Sequence, residues 1–400
     1  MISLVEVLLA IPAAILLLLA AFFALEVVGA LLPARRAPTA APASIVVIIP
    51  AHNEAAVIGA TLKDVKAQLR PADRLIVVAD NCTDATAEIS MRAGASCLIR
   101  NDPDNRGKGF ALQFALDSLK EHPPAVVLFI DADCRLGEGA VAKIAGAAAA
   151  SGRPAQGLYL MRADEDAPAS RKVAEFAWLL LNHVRMAGLS TLFDVCRLTG
   201  AGAALPWEIA KDVDLASEEI VEDLALSATL ISKNAAPIFV PEALVTSVFP
   251  YTEEGAARQH ARWEFGSMRF AARRALPMLV EAIGDGDIRR AAAALDFAIP
   301  PLTLFAASVG LVFLLSLLAL AAGGDLPYRL AAAALGSLIA GVIVSWLIFG
   351  RKALPPSALA ALFDYVVEKA KVYGKDGRAS TQTWTRTERD GDAGPAKTPE

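Results

Sequence analysis

The sequence predicts an α/β protein whose mixed, mostly parallel sheet carries helices on both faces and which three transmembrane helices hold in a bilayer. Short β-branched runs alternate with helical segments between residues 44 and 275, and this alternation is typical of a parallel sheet. Three long apolar runs lie outside that part. A mean hydropathy of +0.45 also favours lipid-embedded segments.

The first apolar run predicts an N-terminal transmembrane anchor over residues 1–32. It extends from Val7 to Leu25 and continues weakly to Leu32, which is long enough to cross the hydrocarbon core. The residues before Val7 contain no Lys or Arg, so a retained anchor is favoured over a cleaved signal peptide. Arg35 and Arg36 follow the run and place its C-terminal side in the cytosol by the positive-inside rule.

A Pro/Ala linker, residues 33–43, leads into the α/β part. Its apolar β-branched runs predict strands, and the segments between them predict helices. The predicted strands are Ile45 to Ile49, Leu75 to Ala79 and Val126 to Ile130, and the predicted helices are Glu54 to Leu69, Asp84 to Ala93 and Gly109 to Lys120. In such sheets ligands bind at the carboxyl ends of the strands. In this sequence, polar residues follow each of the three predicted strands.

The C-terminal part predicts a return to the membrane. Residues 276–296 read as an interfacial amphipathic segment, and residues 297–350 as a helical hairpin of two apolar runs with a Gly-rich turn. Arg351 and Lys352 then bring the chain back to the cytosol, in agreement with the first anchor. Residues 351–400 form a cytosolic tail whose polar end is predicted to be disordered.

Charge and cysteine content exclude several classes of protein. The net charge is -5 and the pI near 5.6, so a nucleic-acid partner is not expected. The four cysteines show neither Cys-x-x-Cys spacing nor a His at zinc-ligand distance, so we expect no zinc site and no disulfide framework. A reduced, cytosolic compartment is the simplest interpretation.

Asp131-Ala132-Asp133 directly follows the third predicted strand. Two carboxylates there repel each other unless a cation or protons compensate them. Mg²⁺ and Mn²⁺ accept hard oxygen ligands, commonly one or two carboxylates together with phosphate oxygens. The alternative is a solvated turn that caps the next helix.

Four further groups could contact a ligand. Asp80 ends the second strand and could accept a hydrogen bond from a nucleobase, while Thr83 or Asp84 caps the following helix; the alternative is a plain turn and cap. The loop Asn105 to Gly109 combines glycines with two cations but lacks the P-loop spacing. Glu222-Asp223 begins a helical stretch, where a carboxylate is often only structural. Gln259, Arg262 and Trp263 share one helical face. They could bind a sugar diphosphate and stack on an acceptor ring, or they could belong to a simple amphipathic surface helix.

Together these motifs resemble the family 2 glycosyltransferases of the cellulose- and hyaluronan-synthase-like branch. The resemblance covers roughly Ser44 to Met268 and rests on the order and spacing of five motifs. These are Ile49-Pro50-Ala51-His52-Asn53-Glu54, Asp80, Asp131-x-Asp133, Glu222-Asp223 and Gln259-x-x-Arg262-Trp263. It implies the GT-A fold, a Rossmann-like sheet, and an enzyme that inverts the anomeric carbon.

The resemblance also implies a role for each motif. Pro50, Ala51, His52, Asn53 and Glu54 would line the nucleotide pocket, with Asp80 on the base, Lys108 near the base or phosphate and Asp131 on the donor diphosphate. Asp131 and Asp133 would bind Mg²⁺ or Mn²⁺, and Asp223 would be the general base. Glu222, Gln259, Arg262 and Trp263 would bind the diphosphate and acceptor end.

The implied partners are a nucleotide sugar such as a UDP-sugar, a growing glycan or lipid-linked acceptor, the lipid bilayer and other envelope-assembly proteins. The implied location is the inner membrane, multi-pass, with the catalytic domain in the cytosol. Ala79 departs from the family's Asp-Asp pair, and Leu198 to Gly202 matches its acceptor-side loop only loosely. The alternatives are a polyprenyl-phosphate glycosyltransferase, a membrane nucleotidyltransferase and a non-catalytic scaffold.

Overall fold

The computed structural model describes residues 4–164, 166–216, 221–249, 253–362, 365–366 and 369. The predicted tail from Ser380 onward therefore lies outside the described residues. By internal contacts the chain divides into two units. The first comprises the chain up to Arg35, Ala167–Cys196 and the chain from Ser267, and the second comprises Arg36–Asp166 and Arg197–Gly266.

The second unit contains the sheet, whose described strands number eight in the order β3-β2-β1-β4-β7-β6-β8-β5. The strands β1 to β4 run parallel, whereas β7 is antiparallel to both of its neighbours. The strands are β1 Ile45–Ala51, β2 Arg74–Asp80, β3 Ser96–Arg100, β4 Val126–Phe129, β5 Arg135–Leu136, β6 Ala155–Arg162, β7 Ala203–Pro206 and β8 Ile238–Val248. The mixed, mostly parallel sheet predicted from the sequence is confirmed.

The helices of this unit are α2 Ile58–Lys66, α3 Thr86–Arg92, α4 Lys108–Ser118, α5 Ala140–Ser151, α8 Trp207–Ala210 and α9 Glu222–Ser232. The three predicted helices of this unit are present: α2 and α3 are shorter at both ends than predicted, whereas α4 begins one residue earlier and ends two residues earlier. One face of the sheet packs on α4, where Val46, Val127 and Phe129 meet Leu112 and Leu116 in a buried core. Packing of these apolar side chains thus holds the strands in place, and with them the polar residues at the strand ends.

The first unit contains the long apolar helices. Its helices are α1 Leu4–Leu31, α6 Ala169–Leu179, α7 Met186–Phe193, α11 Ile288–Ala298, α12 Leu302–Ala321 and α13 Leu326–Ser345, with π-helical segments at Leu180–Arg185 and Trp346–Gly350 and a short 3₁₀ turn at Pro356–Ala358. Within the described residues, three segments are long and apolar enough to cross a membrane: Glu6–Leu31, Leu302–Ala321 and Leu326–Gly350. The three predicted spans are confirmed on this basis, while their orientation stays a prediction.

Two boundaries differ from those drawn on the sequence. Residues 167–196 lie inside the predicted domain 44–275, yet they group with the apolar helices of the first unit. The helix α10, Glu253–Asp285, begins in the second unit and continues into the first, so a cut at residue 275 falls within one helix. Hydropathy could not reveal either point because α6 and α10 are amphipathic rather than uniformly apolar.

Candidate active site at the strand ends

The two carboxylates predicted to bind a metal lie in a tight turn after β4. Asp131 and Asp133 are half-buried, while Ala132 between them is buried. The backbone carbonyl of Asp131 accepts a hydrogen bond from the Cys134 N–H at 3.2 Å, and the Thr61 hydroxyl donates to the Ala132 carbonyl at 2.7 Å. These bonds fix the turn and hold both carboxylates at the edge of the sheet.

Lys108, the first residue of α4, lies against these acids. Its ammonium forms an ion pair with Asp131, donates to the Gly200 carbonyl at 3.0 Å and lies 4.0 Å from Glu222 Oε1. Burial alone would lower the pKa of this amine, but the charges of Asp131 and Glu222 raise it above its ordinary value. Lys108 therefore joins motifs that the sequence analysis placed on three separate segments.

Glu222 and Asp223 occupy the first turn of α9 and are half-buried. Asp223 Oδ1 accepts the N–H of Leu224 at 2.9 Å. The hydroxyl of Ser227 donates to the Asp223 carbonyl and accepts the N–H of Leu198, both at 2.7 Å. The beginning of α9 is thus tied to the loop that starts at Leu198.

Burial and mutual repulsion govern the protonation of this acid pair. Burial raises the pKa of Glu222 to about 7, opposed by the positive charge of Lys108 and assisted by Asp223 and Asp131. Burial also raises the pKa of Asp223, again opposed by Lys108. A carboxyl group whose pKa is raised to about 7, as for Glu222, can hold and release a proton near neutral pH.

The loop Thr199–Gly202 approaches the cluster closely because Gly200 has a φ of +78°. A Cβ at this position would lie 3.3 Å from Lys108 Nζ and 3.7 Å from Asp223 Oδ2. The buried Gln156 fixes the loop, since its amide donates to the Ala201 carbonyl at 2.8 Å and accepts the Thr199 N–H at 3.0 Å. Sequence reasoning missed Gln156, although a glutamine within the apolar run of β6 was the available signal.

The predicted nucleotide-pocket segment Pro50 to Glu54 lies at the end of β1 and is tied to the loop after β2. His52 Nδ1 hydrogen-bonds the Asp80 carbonyl at 2.7 Å, and Asn53 Oδ1 accepts the Thr83 N–H at 2.7 Å. Asn53 has a φ of 55°, a left-handed conformation that asparagine tolerates. Two adjacent strand ends thus form one surface.

The buried Asp80, predicted to contact the base, is engaged with Arg100. Asp80 Oδ1 accepts from Arg100 Nη1 at 2.7 Å and from the Asn81 amide at 3.0 Å. Arg100 also donates to Asp102 at 2.9 Å. Sequence reasoning missed Arg100 because it ends β3, whose side chains carry no motif.

Gln259, Arg262 and Trp263 lie on α10 and are half-buried. Burial lowers the pKa of Arg262, and the charge of Glu222 partly offsets this effect. The ring of Trp263 meets His260 edge-on at a centroid distance of 6.2 Å. The Gln259 Oε1 atom is buried without a hydrogen-bond partner among the described residues, as is the hydroxyl of Thr199.

The side chains available as metal ligands indicate which cation could bind. No group of three or more His, Cys, Asp or Glu side chains is arranged to hold a metal within the described part of the chain. Asp131 and Asp133 provide two carboxylates, the ligand number with which Mg²⁺ or Mn²⁺ is bound when phosphate oxygens and water complete the shell. The residues present therefore fit a metal that arrives with a phosphorylated ligand.

Comparison with known proteins gives a family and a fold. The sequence model described as "Glycosyltransferase like family 2" matches residues 42–266. No curated protein sequence matches the chain.

Two kinds of solved structure illustrate the similarity. A mannosyltransferase from Pyrobaculum calidifontis, determined with GDP-Man and Mn²⁺, is 18% identical, with 86% of this chain and 99% of that chain covered and a TM-score of 0.51. A glucosyl-3-phosphoglycerate synthase from Mycobacterium tuberculosis, determined with Mn²⁺, UDP and phosphoglyceric acid, is 22% identical, with 55% and 76% covered and a TM-score of 0.39. The first of these shows a shared fold.

Proposed function

The chain belongs to the family 2 glycosyltransferases, whose sequence model spans more than half of it, and we propose that it moves a sugar from a UDP-sugar or similar donor to a hydroxyl of a growing or lipid-linked glycan, with inversion. One observation carries this proposal. Lys108 Nζ contacts Asp131 and Gly200 and lies near Glu222, so residues of three distant segments form one cluster of charges at the strand ends.

Asp223 is the proposed general base. A base for this reaction needs a carboxylate that is ionised when the acceptor binds and within hydrogen-bond reach of its hydroxyl. The N-terminus of α9 and the Leu224 N–H stabilise the ionised form, while burial raises its proton affinity. The close approach of Gly200 leaves Asp223 Oδ2 facing backbone rather than a bulky side chain.

The proposed donor site combines cations with unsatisfied polar atoms. Lys108 and Arg262 would bind the diphosphate, and Gln259 Oε1 and the Thr199 hydroxyl, both buried without a described partner, would bond to the donor or acceptor. Asp131 and Asp133 would hold Mg²⁺ or Mn²⁺, which supplies positive charge to the leaving diphosphate. The mannosyltransferase of similar fold, determined with GDP-Man and Mn²⁺, supports this class of donor and metal.

The proposed location is the inner membrane, with the catalytic unit in the cytosol where nucleotide sugars are made. Three apolar helices of spanning length support a membrane-bound enzyme, and the positions of Arg35, Arg36, Arg351 and Lys352 support this orientation. An enzyme so placed would serve the synthesis of a cell-envelope glycan and would meet other envelope-assembly proteins there.

The test is a donor panel. Purified full-length protein is incubated with individual nucleotide sugars and Mg²⁺ or Mn²⁺, and the released nucleoside diphosphate is measured. We expect release with one donor. This release should be lost in Asp133→Asn and retained in Asp117→Asn, since Asp117 is an exposed acid on α4 that pairs with Lys120. Folded protein that neither binds nor turns over any donor would refute the proposal.

A further inference from the structure

The part of α10 that lies in the first unit, from Ser267 to Asp285, has two apolar faces. One face is buried and consists of Ala275, Met278 and Ala282. The other is exposed: Leu276 is 67% accessible, Val280 61% and Ile283 69%. A helix on a water-exposed surface normally has one apolar stripe and one polar face, so the exposed stripe needs a second apolar surrounding.

The exposed stripe begins with arginines. Arg269 and Arg273 are exposed and precede Leu276, Val280 and Ile283 at intervals of four, three, four and three residues. This spacing places all five side chains along one side of the helix. Neither arginine forms an ion pair with any residue whose placement is described.

The acidic residues of this part avoid the stripe. Glu281 and Asp285 are exposed, but their positions point away from the line that runs through Arg269 and Ile283. Asp285 is moreover paired with Arg290 at 2.8 Å. The stripe is therefore apolar with a purely cationic end, which suits an anionic phosphate layer above hydrocarbon.

The chain runs from α10 through the short helix α11 to the second candidate membrane span. Only two residues, Gly286 and Asp287, separate α10 from α11. Asp287 caps α11 by accepting the Arg290 N–H at 3.0 Å. Ile299, Pro300 and Pro301 then link α11 to α12, the second candidate span. Three extended residues reach about 10 Å, so the end of α11 cannot lie far from the bilayer surface.

We propose that Leu276, Val280 and Ile283 insert into the surface of an anionic bilayer while Arg269 and Arg273 bind its lipid phosphates. The helix would lie in the interface and anchor the first unit alongside its three apolar spans. This inference deepens the proposed membrane location and does not depend on the sugar-transfer reaction.

The structure also narrows the interfacial segment predicted over residues 276–296. In α11 the side chains of Arg290, Ala292, Ala293, Ala294 and Phe297 are buried within the protein. They are therefore unavailable to lipid, and the candidate lipid contact lies on α10 from Arg269 to Ile283. Periodicity alone could not separate these two helices because both are amphipathic.

The experiment measures membrane depth directly. The full chain, with the half-buried Cys82 and Cys97 changed to alanine, receives a fluorophore at Ile283→Cys or at Glu281→Cys, the matched exposed control on the same helix. Each protein is reconstituted in nanodiscs that contain phosphatidylglycerol with brominated acyl chains. We expect several-fold stronger quenching at position 283 than at position 281. This difference in quenching should be smaller in the double variant Arg269→Gln/Arg273→Gln and in nanodiscs that contain only brominated phosphatidylcholine.

Equal quenching at positions 281 and 283 would overturn the proposal. A label at position 283 that is shielded from water, is not quenched by lipid and shows fluorescence energy transfer to a second labelled protomer would also overturn it, because a second copy would then cover the stripe. Thermal unfolding of each labelled protein establishes that the substitution leaves the fold intact. The readout requires no sugar donor, so it is independent of whether the proposed reaction is correct.

Discussion

The ammonium of Lys108 is ion-paired with the carboxylate of Asp131, one of the two proposed metal ligands. The same ammonium lies 4.0 Å from Glu222 Oε1 and donates to the Gly200 carbonyl. Without a bound donor, this lysine supplies the positive charge that the acid cluster requires. A divalent cation bound at Asp131 would compete with Lys108 for the same oxygens.

Replacing Lys108 by methionine should separate its competition with a metal ion at Asp131 from its attraction for a diphosphate. Free Mn²⁺ should bind more tightly because its competitor at Asp131 is gone, by about tenfold if roughly 1.4 kcal/mol of competition is removed. A nucleoside diphosphate should bind more weakly because a cation is lost. Calorimetric titration measures both, with Lys143→Met as the control, since Lys143 bonds the Glu138 and Glu242 carbonyls outside the cluster. Weaker binding of free Mn²⁺ would contradict the competition.

Asp223→Asn should preserve donor binding and abolish transfer. The asparagine keeps the shape of the side chain but cannot accept the proton of the acceptor hydroxyl, so we expect a loss of about 10²–10⁴-fold in turnover. Asp212→Asn, an exposed acid in the same unit, is the control. Transfer near the wild-type rate with Asp223→Asn would remove this residue from the role of base.

The strands β1, β2 and β4 and the three spans were predictable from the sequence because each is a single apolar run. The cluster around Lys108 was not, because the ion pair with Asp131 depends on how α4 packs on the sheet. Arg100 and Gln156 were missed for a related reason. Each binds a loop that is distant in sequence, and periodicity carries no information about such contacts.

Gly200→Ala should lose activity by more than its loss of stability explains. Gly200 has a φ of +78°, and the left-handed region costs about 1–2 kcal/mol for a residue with a Cβ. Gly152→Ala is a matched control because Gly152 has a φ of +65° but no atom within 4 Å of its Cβ position. Both variants should unfold at lower temperature, and only Gly200→Ala should lose transfer. Equal activity in the two would show that contact with Lys108 and Asp223 is unimportant.

Burial of Glu222 should make the protein less stable as pH rises. Its pKa is raised from 4.5 to about 7, so between these values the folded protein binds more protons than the unfolded chain. The stability is then fully present below pH 4.5 and is lost as pH rises through 7. The side chain is 23% exposed, so water moderates the effect.

The measurement is the unfolding temperature of the detergent-solubilised protein as a function of pH. Glu222→Gln should flatten the decline between pH 4.5 and 7 that this residue contributes. Glu208→Gln, an exposed residue paired with Lys211, should leave the curve unchanged. A decline that persists unaltered in Glu222→Gln would place its origin in another group.

Removing the cation of a buried charge network within the first unit should lower stability much more than breaking a surface ion pair. Arg185 donates to Glu26 Oε2 at 3.0 Å and to Asp296 Oδ1 at 2.5 Å, and all three residues are buried. Arg185→Met removes this guanidinium from its two buried carboxylate partners, and removing one partner of a buried pair destabilises by about 3–5 kcal/mol. Arg329→Met, which breaks an exposed pair with Asp325, should change stability by at most about 1 kcal/mol. Thermal unfolding in one detergent compares the two variants, and similar unfolding temperatures would contradict a strongly stabilising role for Arg185 in this network.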